Sequence, residues 1–175
     1  INMKNLEVND YVGISFWMIS IALAATTGFL IVERNSVLPK WKLPVSVSAL
    51  VTGIAASHYF YMRVIWVMYQ VSPVVYRYID WFLTVPLQII EFYLILAVAK
   101  KVPIQLFYKL LAASIIMIGF GFLGETGQIN RNVGFIIGTV ALLYILYEIF
   151  YGDAAKYKEE TEDESVKFAF DSLKW

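Results

Sequence analysis

Arg77-Tyr78-Ile79-Asp80-Trp81-Phe82-Leu83-Thr84-Val85-Pro86-Leu87-Gln88-Ile89-Ile90-Glu91 sets one cation and two carboxylic acids inside a segment otherwise apolar enough to cross a bilayer. An ionisable side chain near the membrane centre costs about 2.5–3.5 kcal/mol on the insertion scale. Three of them cost roughly 7–10 kcal/mol if they add. Groups kept at such a cost mark ion or proton paths. At about 100° per residue, Arg77, Asp80, Thr84, Gln88 and Glu91 share one helix face. Asp80 and Glu91 are about 16.5 Å apart along the axis, half of the roughly 30 Å hydrocarbon core. One acid therefore lies to each side of the middle.

The rest of the chain agrees with a membrane setting. Of 175 residues, 59% are hydrophobic and 16% charged, and the mean hydropathy is +0.65. Soluble domains carry more charge. Lysines and arginines equal acids in number, 14 against 14, which speaks against nucleic acid as a partner. With no cysteine and a single histidine, disulfides, thiolate metal sites and multi-histidine metal sites are excluded. Neither a Walker A pattern nor a dinucleotide fingerprint is present, and nothing in the sequence calls for an enzyme. The first ten residues are short and polar and show no secretory signal, although one already removed would leave the same start.

Five apolar spans follow from the pattern. Span A covers 11–32, behind the capping candidates Asn9 and Asp10. Span B covers 43–66, with Pro44 in its first turn. Span C covers 74–99. Span D covers 104–123, just after Pro103, and span E covers 133–151, with Gly152 as its stop. The charged run 151–164 reads as a solvated loop. Residues 165–175 resume a helical rhythm through Val166, Phe168, Ala169, Phe170 and Leu173, as the first turns of a sixth helix. The expected fold is an all-α membrane protein forming one domain over 1–175. Basic residues set its orientation. Arg34, Lys40, Lys42, Lys100, Lys101, Lys109, Lys156 and Lys158 flank one set of loops, against Lys4, Arg63 and Arg131 on the other. The first set is therefore cytoplasmic and the N-terminus outside.

A proton path needs exchanging groups at different depths. Arg77, one turn from Asp80, favours an ionised carboxylate there, a resting anion able to pair with a buried cation and accept its proton. Glu91 is flanked by Leu87, Ile90, Leu94 and Ile95 with no basic neighbour in its own helix, so desolvation favours the neutral acid. Such an acid can donate a proton and reload from the cytoplasm. His58, in Ala-Ala-Ser-His-Tyr-Phe-Tyr, reads by itself as a hydrogen-bonding or packing residue, and Asp80 offers it a partner on the next helix. Pro86 removes the usual donor to the Phe82 carbonyl, which opens a place for water.

Residues 77–96 resemble the third helix of the proteorhodopsins, bacterial retinal proteins, and Gly53 to Arg63 resembles their second. Phe135-Ile136-Ile137-Gly138 and Tyr147-Glu148 resemble their fifth. The resemblance implies a seven-helix rhodopsin bundle, with helices A–E and the start of F in this chain and the rest of F and helix G missing. It implies a light-driven outward proton pump in the bacterial inner membrane. Asp80 is then the counterion and primary acceptor, Glu91 the cytoplasmic donor, Arg77 part of the outward release path and His58 the partner of Asp80. Trp81, Thr84, Gln88 and Met117 line a pocket for all-trans retinal. Glutamine at position 88 implies a blue-absorbing form. Trp17 resembles the residue that meets a neighbouring subunit's histidine, here His58, in ring-shaped homo-oligomers (pentamers or hexamers); by itself it reads as membrane-facing packing.

The chain departs from that family in two places. The family attaches retinal to a lysine in helix G, and none of the lysines here lies mid-span. It also sets a tryptophan against retinal in the fifth helix, where Ala141-Leu142-Leu143 has none. Two other functions are weighed: a sensory photoreceptor of the same fold signalling to a partner, and a transporter or channel without retinal.

Overall fold

The computed structural model describes residues 6–99 and 101–175, so Lys4 and Lys100 lie outside the described residues. Helices α1 (Tyr11–Glu33), α2 (Lys42–Tyr69), α3 (Val74–Ala99), α4 (Ile104–Glu125) and α5 (Arg131–Phe150) are followed by the short α6 (Asp153–Glu159) and α7 (Glu164–Lys174). Among the described residues, five helices are long and apolar enough to cross a membrane. Span C is found with the expected bounds, and the others differ by one to three residues at an end.

Local chemistry explains the boundaries. The Asp10 carboxylate accepts from the Gly13 amide at 2.9 Å, which satisfies one of the orphan donors of α1. Asn130 does the same for α5. Gln70 takes the left-handed conformation (φ 54°) and ends α2 by donating to the Trp66 carbonyl. Arg63, counted with the outer side because it closes span B, lies in α2 as that span implies, its guanidinium 4.6 Å from the Trp17 ring and 5.0 Å from that of Phe60. The aromatic faces accommodate the cation within the helix.

Segment 151–164 is not simply a loop. The Glu148 carboxylate accepts from the Asp153 amide at 3.0 Å and from the Tyr144 hydroxyl at 2.9 Å, which starts α6. Asp153 in the first turn, and Lys156 and Lys158 in the last, suit the helix dipole. Lys40, in the α1–α2 connection, reaches Asp163 at 2.7 Å. That hydrogen bond holds the Asp163 carboxyl below the usual carboxylate range. Its contribution is fully present above the usual range and is lost as pH falls to and through the lowered value.

Consecutive helices pack side by side, with α1 most extensively on α2 and α4 on α5. The apolar core lies at the α1–α2 loop side, where Phe92, Ile95 and Leu96 meet Leu106 and Leu110, Ile145 and Ile149, and the fully buried Val166 and Phe170 of α7. The Phe92 and Phe170 rings meet edge-on at 5.2 Å. Only Gly13 and Ser20 of α1 are buried, while Met18, Ile21, Phe29 and Val32 point outward, as lipid-facing positions do.

Inside a bilayer, van der Waals fit drives helix association, and α4 and α5 show it. A Cβ on Gly134 would lie 2.7 Å from the Phe120 carbonyl oxygen and 2.9 Å from the Gly124 Cα. Both obstacles are backbone. Gly134→Ala should therefore destabilise the bundle by about 1–3 kcal/mol, read as earlier loss of helical signal in a denaturing-detergent titration. An unchanged midpoint would show that the two helices separate freely.

Candidate functional site

Three residues of the polar stripe of α3 face the interior, while Arg77 is half-buried and Gln88 exposed. Asp80, Thr84 and Glu91 are 2%, 4% and 6% exposed, whereas Ile79 and Leu83, on the other side of the helix, are exposed. Burial of the polar face against exposure of the apolar one is the arrangement of a membrane helix that encloses a path.

Asp80 meets α2. The His58 Nδ1 lies 3.6 Å from Asp80 Oδ1 and 3.0 Å from the Ile54 carbonyl oxygen. A carbonyl only accepts, so Nδ1 carries a hydrogen, and that hydrogen points mainly at the backbone. Asp80 Oδ1 is left buried without a hydrogen-bond partner, a costly state for a carboxylate in a low dielectric. Thr84 takes no part in relieving it, because its hydroxyl donates to the Asp80 backbone carbonyl at 2.9 Å.

Arg77 is not where the sequence puts it. Its Nη2 lies 3.3 Å from Glu125 Oε1 at the end of α4 and 3.5 Å from Ser72 Oγ, and its ion pair is with Glu125, not Asp80. The Tyr78 hydroxyl donates to the other Glu125 oxygen at 2.8 Å. Between Arg77 and α2 lies a cavity of about 120 Å³ lined by Tyr59, Met62, Trp66 and Ser72 among others. Its walls are mainly apolar, from Val12, Phe16 and Pro73 among others, with Tyr59, Ser72 and Arg77 as polar points.

Eleven residues further on, Glu91 shares a 2.7 Å hydrogen bond with Ser48 of α2. The contact suits both protonation states. Ser48 donates to a carboxylate; alternatively, it accepts from a neutral carboxyl while turning its own hydrogen to the Pro44 carbonyl at 3.3 Å. Ser48, Thr52, Gln88, Glu91 and Leu173 border a cavity of about 330 Å³. Gln88 thus sits on the Glu91 side. Trp81 packs edge-on to Tyr78 at 5.2 Å, and Met117 of α4 lies against the apolar core. Trp17 stays on the outer face, 38% exposed, its ring 6.0 Å from that of Phe60.

Sequence reasoning missed Ser48 and Glu125. Each acts by meeting α3 from another helix, so no motif contains the pair. Counting helix turns offers a signal for both. Glu125 closes the span that follows α3 and so returns to the level of Arg77, and Ser48 opens the span before it and so starts at the level of Glu91.

A blue-light absorbing proteorhodopsin from Gamma-proteobacterium Hot 75m4 is 46% identical over 169 residues, 97% of this chain and 67% of its own length. A green-light absorbing proteorhodopsin from Gamma-proteobacterium EBAC31A08 is 48% identical over 97% of this chain and 68% of its own. The crystal structure of a blue light-absorbing proteorhodopsin from Med12 superposes with a TM-score of 0.80 at 47% identity, covering 95% of this chain and 73% of that one. Residues 10–175 match the bacteriorhodopsin-like protein family, and the chain belongs to it.

Proposed function

We propose that this chain is the larger part of a light-driven outward proton pump, a single transmembrane domain that carries its path on one face of α3. The observation that carries the reading is the orphaned, buried Asp80 Oδ1. An unpartnered carboxylate oxygen fits a protonated nitrogen brought in from outside this chain. Trp81, Thr84, Gln88 and Met117 are the residues that would wall all-trans retinal. Retinal, bound as a protonated Schiff base on a lysine outside the described helices, supplies a proton-bearing nitrogen that light displaces. Asp80 holds the negative charge at rest and takes a proton at Oδ1. His58 steadies it from α2. The cavity beside Arg77, Tyr59 and Ser72 leads that proton toward the α2–α3 loop side. Glu91, in its Ser48-lined cavity, keeps a proton in reserve and refills from the α1–α2 loop side. A buried carboxyl with a hydroxyl partner at the reloading end favours a pump over a photoreceptor, which has no need of fast reloading.

The test uses the complete protein in sealed vesicles with added all-trans retinal. The sample should turn coloured, and illumination should change the external pH until a protonophore is added. A coloured sample with no light-driven pH change would overturn the pump.

Gln88 supports a blue-absorbing form. Gln88→Leu should move the absorption maximum to longer wavelength, and an unmoved spectrum would remove Gln88 from colour setting. The basic loops support a bacterial inner-membrane protein with its N-terminus outside; an N-terminal tag should be cut by protease added to intact spheroplasts. The outward Trp17 supports a ring of five or six copies in which Trp17 of one copy meets His58 of the next. Trp17→Ala should then shift detergent-solubilised protein from oligomer to monomer by size-exclusion chromatography with light scattering, and an unchanged mass would refute that contact.

A further inference from the structure

The surroundings of Arg77 raise a question that the pump reading leaves open: why the one cation of the stripe stands clear of Asp80, the acid one turn away on its own helix. The side chain runs toward the α2–α3 loop side, over the Trp81 ring at 5.6 Å, and ends between Ser72 and Glu125. Glu125 is held in turn by Tyr78, a residue only 7% exposed. Gly121 makes room for this phenol, because a Cβ there would approach its oxygen to 3.3 Å. The three side chains interlock α3 with the end of α4.

We infer that Glu125 is a positioning residue: together with Tyr78 it holds the Arg77 guanidinium away from Asp80 and thereby sets how strongly Asp80 keeps its negative charge. The inference rests on the proposed role of Asp80 as counterion. Every charged or titratable group near Asp80 fits the same picture. From α2 come His58, at 3.6 Å, and the Tyr59 phenol, which lies within electrostatic reach of both Asp80 and Arg77. From α3 itself comes Arg77, one turn away but turned aside. Among the described residues, α4 brings no cation within ion-pair distance of Asp80. On the other side, Glu125 faces Arg77 and Tyr78 from α3, and α5 brings the backbone of Arg131 against the neighbouring Gly124. Arg77 is thus the single strong cation whose distance from Asp80 can change without a helix moving, and Glu125 is the carboxylate that claims it. A guanidinium released from Glu125 has its own helix neighbour as the next available anion. A cation next to an acid favours the ionised form by one to three pH units, roughly.

The experiment titrates the colour of the complete retinal-bound protein in lipid against pH, because protonating the counterion changes the spectrum. Glu125→Gln should move the midpoint of the acid-induced colour change to lower pH by about one unit or more. Tyr78→Phe, which removes one of the two holds on Glu125, should move it less and in the same direction. Adding Arg77→Gln to Glu125→Gln should cancel the move, an outcome that a merely structural Glu125 would not produce. An unmoved midpoint in Glu125→Gln, a move to higher pH, or a double variant that behaves like the single one would overturn the inference while leaving the pump intact. A second readout needs no chromophore: solid-state NMR of the wild type in lipid should show Arg77 guanidinium nitrogens in contact with the Glu125 carboxyl carbon, and an absent contact overturns the inference. Failure of the wild type to colour with retinal would instead remove the counterion role, and this inference with it.

Discussion

Asp80→Asn should abolish light-driven pH change in the complete, retinal-loaded protein. The expected fall is at least 100-fold, the lower range for losing a positioned acid–base group. Asparagine keeps the shape and burial but has no carboxylate to receive a proton. The described neighbours offer no second carboxylate: Thr84 is committed to the backbone and Arg77 is engaged with Glu125. Loss of Asp80 therefore removes the carboxylate acceptor of the site and leaves only the weaker claim of the His58 imidazole. The same variant should lose the colour change between acid and neutral pH, because the group that titrates is gone. Folding is not expected to fail, since a neutral amide at a buried site avoids the cost of an unpaired charge. Pumping near the wild-type level in a coloured Asp80→Asn sample would show that another group receives the proton.

Glu91→Gln should leave colour and the first outward proton largely intact but slow steady turnover about tenfold or more, the reloading step having lost its acid. Vesicles under continuous light would show a small initial pH change followed by a much reduced rate. Ser48→Ala tests the same site more gently. It removes one hydrogen bond, worth about 1 kcal/mol, so a several-fold slowing is expected. Ser48→Thr, which keeps the hydroxyl, should come close to wild type. If Glu91→Gln turns over at the wild-type rate, the proton reserve lies elsewhere.

The legible part of this protein was whatever a single helix can state. Asp80, Thr84 and Glu91 were readable as an inward stripe because ionisable groups in hydrocarbon must face protein or water, and all three are buried. Span C has the bounds of α3 because its apolar run is uninterrupted from Val74 to Ala99 apart from that stripe. What depended on a second helix was not legible. Helix periodicity put Arg77 beside Asp80, but a long guanidinium side chain reaches past its own turn, and Glu125 with Tyr78 drew it away. α6 was hidden because a dense charge run reads as solvated chain, whereas its start is set by Glu148, a residue inside the preceding span.

The uneven packing between helices has a mechanical meaning. α1 with α2, and α4 with α5, form two stiff couples, the second drawn so close at Gly124 and Gly134 that backbone touches backbone. α3 is the tongue between them, joined to either couple less extensively. Every acid of the proposed relay lies along those two looser seams, as do the cavities beside Arg77 and Glu91. The architecture thus places its looser packing along the proposed proton path, where side chains and water have room to rearrange, while the flanking couples are more closely packed.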